Sequence, residues 1–223
     1  MITPHFLPQA TALPAEVRAC ITAICADCES EVRRWLPALE QDIALHCSTG
    51  HRVIPALGYG ATALDRRTIV FTLAEAPAHR QRAIVAEHLR HTLFHECHHL
   101  VRGWVRQGGE RHPSFIHGVI CEGLASAFER DAAGHASPWC SYPDDVDAWV
   151  DELLALPAHA DYRRWMFHHP DGRRWIGYRA GTYIADRAIE RSGRDAAQLA
   201  GAPCTRILEL AGLPQPRLGT PPH

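Results

Sequence analysis

The chain has 223 residues, of which 46% are hydrophobic, and this is enough for the buried core of a globular domain. Its formal net charge is −2 and all 23 basic residues are Arg, so the composition excludes the strong positive field of a nucleic-acid-binding surface. No apolar run reaches the length of a membrane-spanning segment. We therefore expect neither nucleic acid nor a membrane as a partner.

The amino-terminal segment does not have the pattern of a secretory signal. Residues 1–14 contain no Arg or Lys and are interrupted by Pro4 and Pro8, whereas a signal peptide has basic residues ahead of an unbroken apolar stretch. The eight cysteines show no spacing typical of a disulfide framework, and a chain of this size does not need one. Both features predict a cytoplasmic protein.

Hydrophobic periodicity predicts a small sheet followed by helices. A helix is predicted over residues 15–36, and strands over residues 42–47, 52–57 and 67–74, with Gly58-Tyr59-Gly60 interrupting the second strand. Further helices are predicted over residues 81–107, 114–131, 144–156, 159–167, 175–191 and 203–212. This order predicts an α+β fold, with a small N-terminal mixed sheet, one long helix and a mainly helical C-terminal half.

We interpret the whole chain, residues 1–223, as a single domain with four parts. These are an N-terminal helix region (1–40), the sheet with the long helix (41–109), the helical half (110–212) and a Pro-rich tail (213–223). The segment Val53–Thr72 contains the candidate edge strand, with which an extended peptide backbone can pair.

Cysteine spacing gives weak evidence for a metal site. Cys25-x-x-Cys28 is the closest pair, but both residues also fit the apolar stripe of the predicted first helix. Burial in the core is therefore the favoured interpretation. We interpret Cys97 and Cys121, which adjoin the candidate site residues, as packing residues too.

The long predicted helix contains His95-Glu96-Cys97-His98-His99, which reads H-E-x-x-H. On a helix, His95 and His99 lie about 40° apart on one face, and Glu96 lies about 60° beyond His99. Two imidazoles placed in this way can hold Zn²⁺ while the carboxylate reaches an attacking water. Because the chain has 16 histidines, a chance match has to be weighed. The apolar pattern of the surrounding helix favours a genuine site.

A third ligand is expected on the next predicted helix. Within Ile120-Cys121-Glu122-Gly123-Leu124-Ala125, Glu122 offers a carboxylate that can face the metal if a turn after Gly108-Gly109 folds this helix back antiparallel to the first. Gly123 has no side chain, which predicts a close approach of the two helices beside the site. The alternative is a glutamate exposed to solvent.

Three segments together resemble a known family. His95 to Arg102 reads H-E-C-H-H-L-V-R, Glu122 to Ala125 reads E-G-L-A, and Gly177 to Gly181 reads G-Y-R-A-G. These segments resemble the predicted Zn-dependent protease domain of the YjaZ type, a mostly bacterial family of the gluzincin arrangement, over roughly residues 50–212. The resemblance implies a zincin fold with one zinc ion per chain. It implies His95, His99 and Glu122 as ligands and Glu96 as general base.

A further group is expected to stabilise the negative oxygen that forms during amide hydrolysis. Tyr178 and Tyr183 both lie on the predicted helix 175–191. The resemblance at Gly-Tyr-x-x-Gly favours Tyr178 as a catalytic residue. A core tyrosine with a satisfied hydroxyl is an equally good interpretation.

These observations predict a zinc metallopeptidase that acts on a peptide or protein substrate. Two alternatives stay open at this point. One is a zinc hydrolase of a non-peptide amide, because the same water chemistry serves both bonds. The other is a non-catalytic zinc-binding regulatory protein, although a purely structural site has no use for the base Glu96 and usually has four protein ligands.

Overall fold

The structure is a computed structural model, and it describes residues 1–7, 13–39, 41–108 and 114–215. The chain divides into two compact units, Met1–Gly109 (unit 1) and Glu110–His223 (unit 2). Of the predicted Pro-rich tail, residues 216–223 lie outside the described part.

Unit 1 contains a four-stranded mixed sheet and two long helices. Its elements are β1 (Ile2–Phe6), α1 (Ala15–Trp35), β2 (Ile43–Thr49), β3 (Tyr59–Asp65), β4 (Thr68–Leu73) and α2 (Ala78–Arg102). The strand order is β1-β2-β4-β3, with β1, β2 and β4 parallel and β3 antiparallel to β4. The small mixed sheet predicted from the sequence is therefore confirmed.

Buried side chains at alternate positions of the central strands form the core of unit 1. On β2 the side chains of Ile43, Leu45 and Cys47 are buried, and Leu45 and Cys47 pair in register with Ile69 and Phe71 of β4. Because directly paired residues of neighbouring strands share a face, these side chains form one apolar surface. Cys25 and Cys28, on the buried stripe of α1, add to the core, as the sequence predicted.

Two features of the sheet differ from the sequence prediction. Strand β1 was not predicted; it contains Pro4, which is tolerated because β1 is an edge strand. The predicted strand 52–57 is wrong, since only Ile54 forms a bridge, to Tyr59. The true strand starts at Tyr59, where a Cβ on Gly60 would lie 3.3 Å from the Cα of Val53. The glycines that predicted a break instead admit this close approach.

Strand β3 is the other edge of the sheet, within the segment Val53–Thr72 that was expected to contain it. Its edge is protected at both ends. Ile54 pairs with Tyr59, and the backbone N–H groups of Arg106 and Gln107 donate to the carbonyls of Ala63 and Leu64. Pairing of a substrate with β3 stays a prediction.

Helix α2 begins directly after Pro77 and ends earlier than predicted. Gly103 takes a left-handed conformation, with φ of 71°, and its N–H donates to the carbonyl of Leu100. A glycine in this position is a common helix terminator because it has no Cβ to clash. The predicted end at Gly108-Gly109 is therefore wrong, and Trp104 lies outside the helix.

The described part of unit 2 consists of helices and loops, which confirms the predicted helical half. The helices are α3 (Phe115–Ala133), α4 (Val146–Leu154), α5 (Tyr162–Met166), α6 (Ile176–Ser192) and α7 (Cys204–Ala211). Helix α3 is central, because it packs on α6 and α7 and most of its residues are buried. No helix in residues 13–39, 41–108 or 114–215 combines the length and the apolar content needed to span a membrane.

Helices α3 and α6 cross with their backbones in close contact. A Cβ on Gly123 would lie 2.6 Å from the Cα of Gly181, and a Cβ on Gly181 would lie 3.1 Å from the Cα of Gly123. Arg130 of α3 strengthens the pair through two hydrogen bonds to the Asp186 carboxylate of α6. Within unit 2 the neighbour of Gly123 is α6, and the predicted approach of Gly123 to the long helix stays a prediction.

Candidate metal centre

His95 and His99 of α2 present two nitrogen ligands on one face of the helix. Their Nε2 atoms lie 3.1 Å apart, and the residues are only 8% and 4% exposed. A tetrahedral zinc ion with Zn–N bonds of about 2.0–2.1 Å holds two nitrogens about 3.3 Å apart. The imidazole pair therefore fits a zinc ion with a movement of a few tenths of an ångström.

Glu96 lies in a buried stretch of α2 that is rich in polar residues. All ten residues from His91 to Leu100 are buried, and six of them are polar: His91, Thr92, His95, Glu96, His98 and His99. Burying a carboxylate away from water costs several kcal/mol unless a cation or hydrogen bonds offset the loss. A helix that needed only to pack would not concentrate such groups on its buried turns, so this stretch is typical of a functional site.

Glu122 is a buried residue of α3 in unit 2, with 7% of its surface exposed. Its Oε1 accepts a hydrogen bond from the Tyr162 hydroxyl, with an oxygen–oxygen distance of 3.1 Å. The alternative of a glutamate exposed to solvent is therefore wrong. A buried carboxylate held by a hydrogen bond is what a metal ligand requires, and its role as ligand stays a prediction.

Tyr162, at the start of α5, was not identified from the sequence. Burial raises the pKa of its phenol well above the usual value, and the electrostatic interactions with Glu122 and Tyr178 raise it further. The hydroxyl therefore keeps its proton at neutral pH and serves as a donor to Glu122. No local motif marks Tyr162, and its contact with Glu122 spans 40 positions of the chain.

Tyr178 lies on α6 within a group of aromatic rings. Its ring centroid is 5.6 Å from that of Trp139, 6.0 Å from that of Trp175 and 6.1 Å from that of Phe167. Tyr178 is also among the groups that raise the pKa of Tyr162, the donor to Glu122. By contrast, the Tyr183 hydroxyl bonds to the exposed Asp147 carboxylate at 2.7 Å. Of the two tyrosines, Tyr178 is the better placed, and its catalytic role stays a prediction.

Three buried cysteines of unit 1 belong to the core. Burial raises the pKa of the Cys25 thiol to about 12 and that of Cys28 to about 11, so both are neutral at physiological pH. Cys97, beside Glu96, is fully buried, and burial raises its thiol pKa as well. Among the described residues, none of the three belongs to a cluster of potential metal ligands.

Comparison with known proteins identifies a family. Residues 25–209 match the model of a family described as predicted Zn-dependent protease (DUF2268). This match contains all three segments that carry the resemblance, which is thereby confirmed, and it begins earlier, within α1. No curated protein and no solved structure matches the chain.

Proposed function

Because the chain belongs to the family of predicted Zn-dependent proteases, we propose that it is a metallopeptidase of gluzincin type and zincin fold, in which His95, His99 and Glu122 hold one zinc ion. The observation that carries this proposal is the 3.1 Å separation of the two Nε2 atoms on the buried face of α2. The buried carboxylate of Glu122, oriented by Tyr162, supports it as the third ligand. The substrate is a peptide or protein.

A bound zinc ion would polarise the scissile carbonyl and lower the pKa of water towards about 7. Glu96 is the general base: its carboxylate accepts a proton from the attacking water and then donates it to the leaving nitrogen. A purely structural zinc site would have no use for a base such as Glu96. Its presence therefore supports catalysis over a purely regulatory role. Tyr178 donates a hydrogen bond to the negative oxygen that develops on the substrate.

Metal content tests the ligand set directly. We expect the Glu122→Ala variant to bind one zinc ion fewer per chain than the wild type, because a site with two imidazoles alone holds zinc weakly. Glu190→Ala is the matched control, since Glu190 is an exposed residue of α6 in the same unit. Elemental analysis of the three folded proteins measures the difference. Equal zinc in all three would show that the third ligand lies elsewhere.

Tyr162 acts as a positioning residue for Glu122. The Tyr162→Phe variant keeps the ring but loses the hydroxyl that donates to Oε1, so we expect zinc affinity to fall by about 10- to 100-fold. Competition with a chelator of known affinity measures this change. Tyr142→Phe is the control, because the Tyr142 hydroxyl donates to Asp186 instead. An unchanged affinity in Tyr162→Phe would remove this role from the proposal.

A further inference from the structure

Unit 2 contains a second group of potential metal ligands, outside the proposed catalytic centre. His117 and Cys121 lie one turn apart on α3, and Cys204 is the first residue of α7. One ligand atom from each of the three lies within 4.8 Å of the other two. We propose that His117, Cys121 and Cys204 bind a second zinc ion, which links α3 to α7.

The ligand set and its spacing suit zinc. Thiolate and imidazole are the ligands that select Zn²⁺ over Mg²⁺ or Ca²⁺. Zn–S bonds of about 2.3 Å place two sulfurs about 3.8 Å apart in a tetrahedral site. The separation of at most 4.8 Å therefore needs to close by about 1 Å, which rotation of the side chains can supply.

Two of the three proposed ligands are partly exposed, so an ion can reach the site from solvent. Cys121 is buried, whereas His117 and Cys204 are each partly exposed. His117 is the one residue between Phe115 and Glu129 of α3 that is not buried. Three protein ligands at this partly exposed position leave the fourth place of a tetrahedral ion to water. The sequence alone assigns Cys121 to packing, because nothing local connects it with Cys204.

An ion bound by His117, Cys121 and Cys204 would affect the proposed catalytic centre, because the two sites are adjacent on α3. Cys121 directly precedes Glu122 on α3. An ion that joins this turn to α7 restrains the backbone that carries the Glu122 carboxylate. The second zinc would thus hold α3 against α7, and its binding energy would add to the stability of unit 2.

Cobalt substitution separates the two sites. Thiolate ligands give Co²⁺ a charge-transfer absorption in the near ultraviolet, whereas a site of two imidazoles and a carboxylate gives none. The full-length protein is stripped of metal with a chelator under reducing conditions and titrated with Co²⁺. We expect two equivalents to bind to the wild type, with the thiolate band accompanying one of them.

Variants show which residues give rise to the thiolate band. Cys204→Ser is expected to lose the band and one equivalent of metal, while Cys20→Ser keeps both, because Cys20 is a partly exposed residue of α1. His117→Gln provides a second removal of a ligand, in which we expect the band to weaken and the affinity to fall at least tenfold. Circular dichroism confirms that each variant is folded.

The result also distinguishes this proposal from the catalytic one. In a His95→Ala, His99→Ala double variant the band is expected to persist, since neither residue belongs to the thiolate site. A wild type that binds Co²⁺ without the band, or a folded Cys204→Ser with unchanged band and stoichiometry, would overturn the second site. The second site would also be overturned if the thiolate band were lost in the His95→Ala, His99→Ala double variant.

Discussion

Replacing Glu96 with Gln is expected to slow peptide hydrolysis by at least about 100-fold while leaving the zinc content unchanged. Gln has nearly the size of Glu, so the packing of the buried turns of α2 persists, and the Nε2 pair of His95 and His99 keeps its spacing. The amide cannot accept the proton of the attacking water, so only the general base is removed. Digestion of a peptide library, followed by mass spectrometry, measures the rate.

The control for this variant is Glu87→Gln. Glu87 lies on the same helix, but its side chain is 70% exposed, so the same chemical change there is expected to leave the rate unaltered. Full turnover by Glu96→Gln would exclude Glu96 as the base. Hydrolysis of a panel of small amides, without cleavage of any peptide, would assign the same residues to a non-peptide substrate.

The sequence predicted those parts of the site whose geometry is local. His95, Glu96 and His99 lie within five positions of one helix, and a spacing of four residues is enough to bring two imidazoles onto one face. The helical periodicity around Glu122 was likewise sufficient to place it on α3, which the structure confirms. In both cases the prediction depended on helical repeats and not on packing between distant segments.

The parts that the sequence did not predict depend on packing between distant segments. The hydroxyl of Tyr162 meets Glu122 only because α5 packs beside α3, and no residue near Tyr162 in sequence signals that contact. Cys121 and Cys204 come together through the packing of α7 on α3. At β3, the residues Gly58-Tyr59-Gly60 predicted a break where the sheet contains a strand. Strand β1 was not predicted, and its Pro4 fits the edge position that the sheet gives it.

Substituting Gly123 with Ala is expected to destabilise unit 2 by about 3 kcal/mol, near the upper end for overpacked sites. The added Cβ would lie 2.6 Å from the Cα of Gly181, and a backbone atom cannot rotate away as a flexible side chain does. The helices α3 and α6 must therefore separate, which weakens the packing around Gly123 and the Arg130–Asp186 ion pair. Urea unfolding followed by circular dichroism measures the loss.

Gly201→Ala is the matched control, because no heavy atom lies within 4 Å of the Cβ it would add, apart from its chain neighbours, and its backbone is not left-handed. We expect its stability to stay within about 0.5 kcal/mol of the wild type. A Gly123→Ala variant of equal stability would contradict the close crossing of α3 and α6. Since Gly123 directly follows Glu122, separating these helices also displaces the proposed ligand. We therefore expect the folded Gly123→Ala protein to bind zinc more weakly. The E-G-L-A and G-Y-x-x-G segments are thus linked by the packing of Gly123 on Gly181, and this packing also positions the proposed ligand.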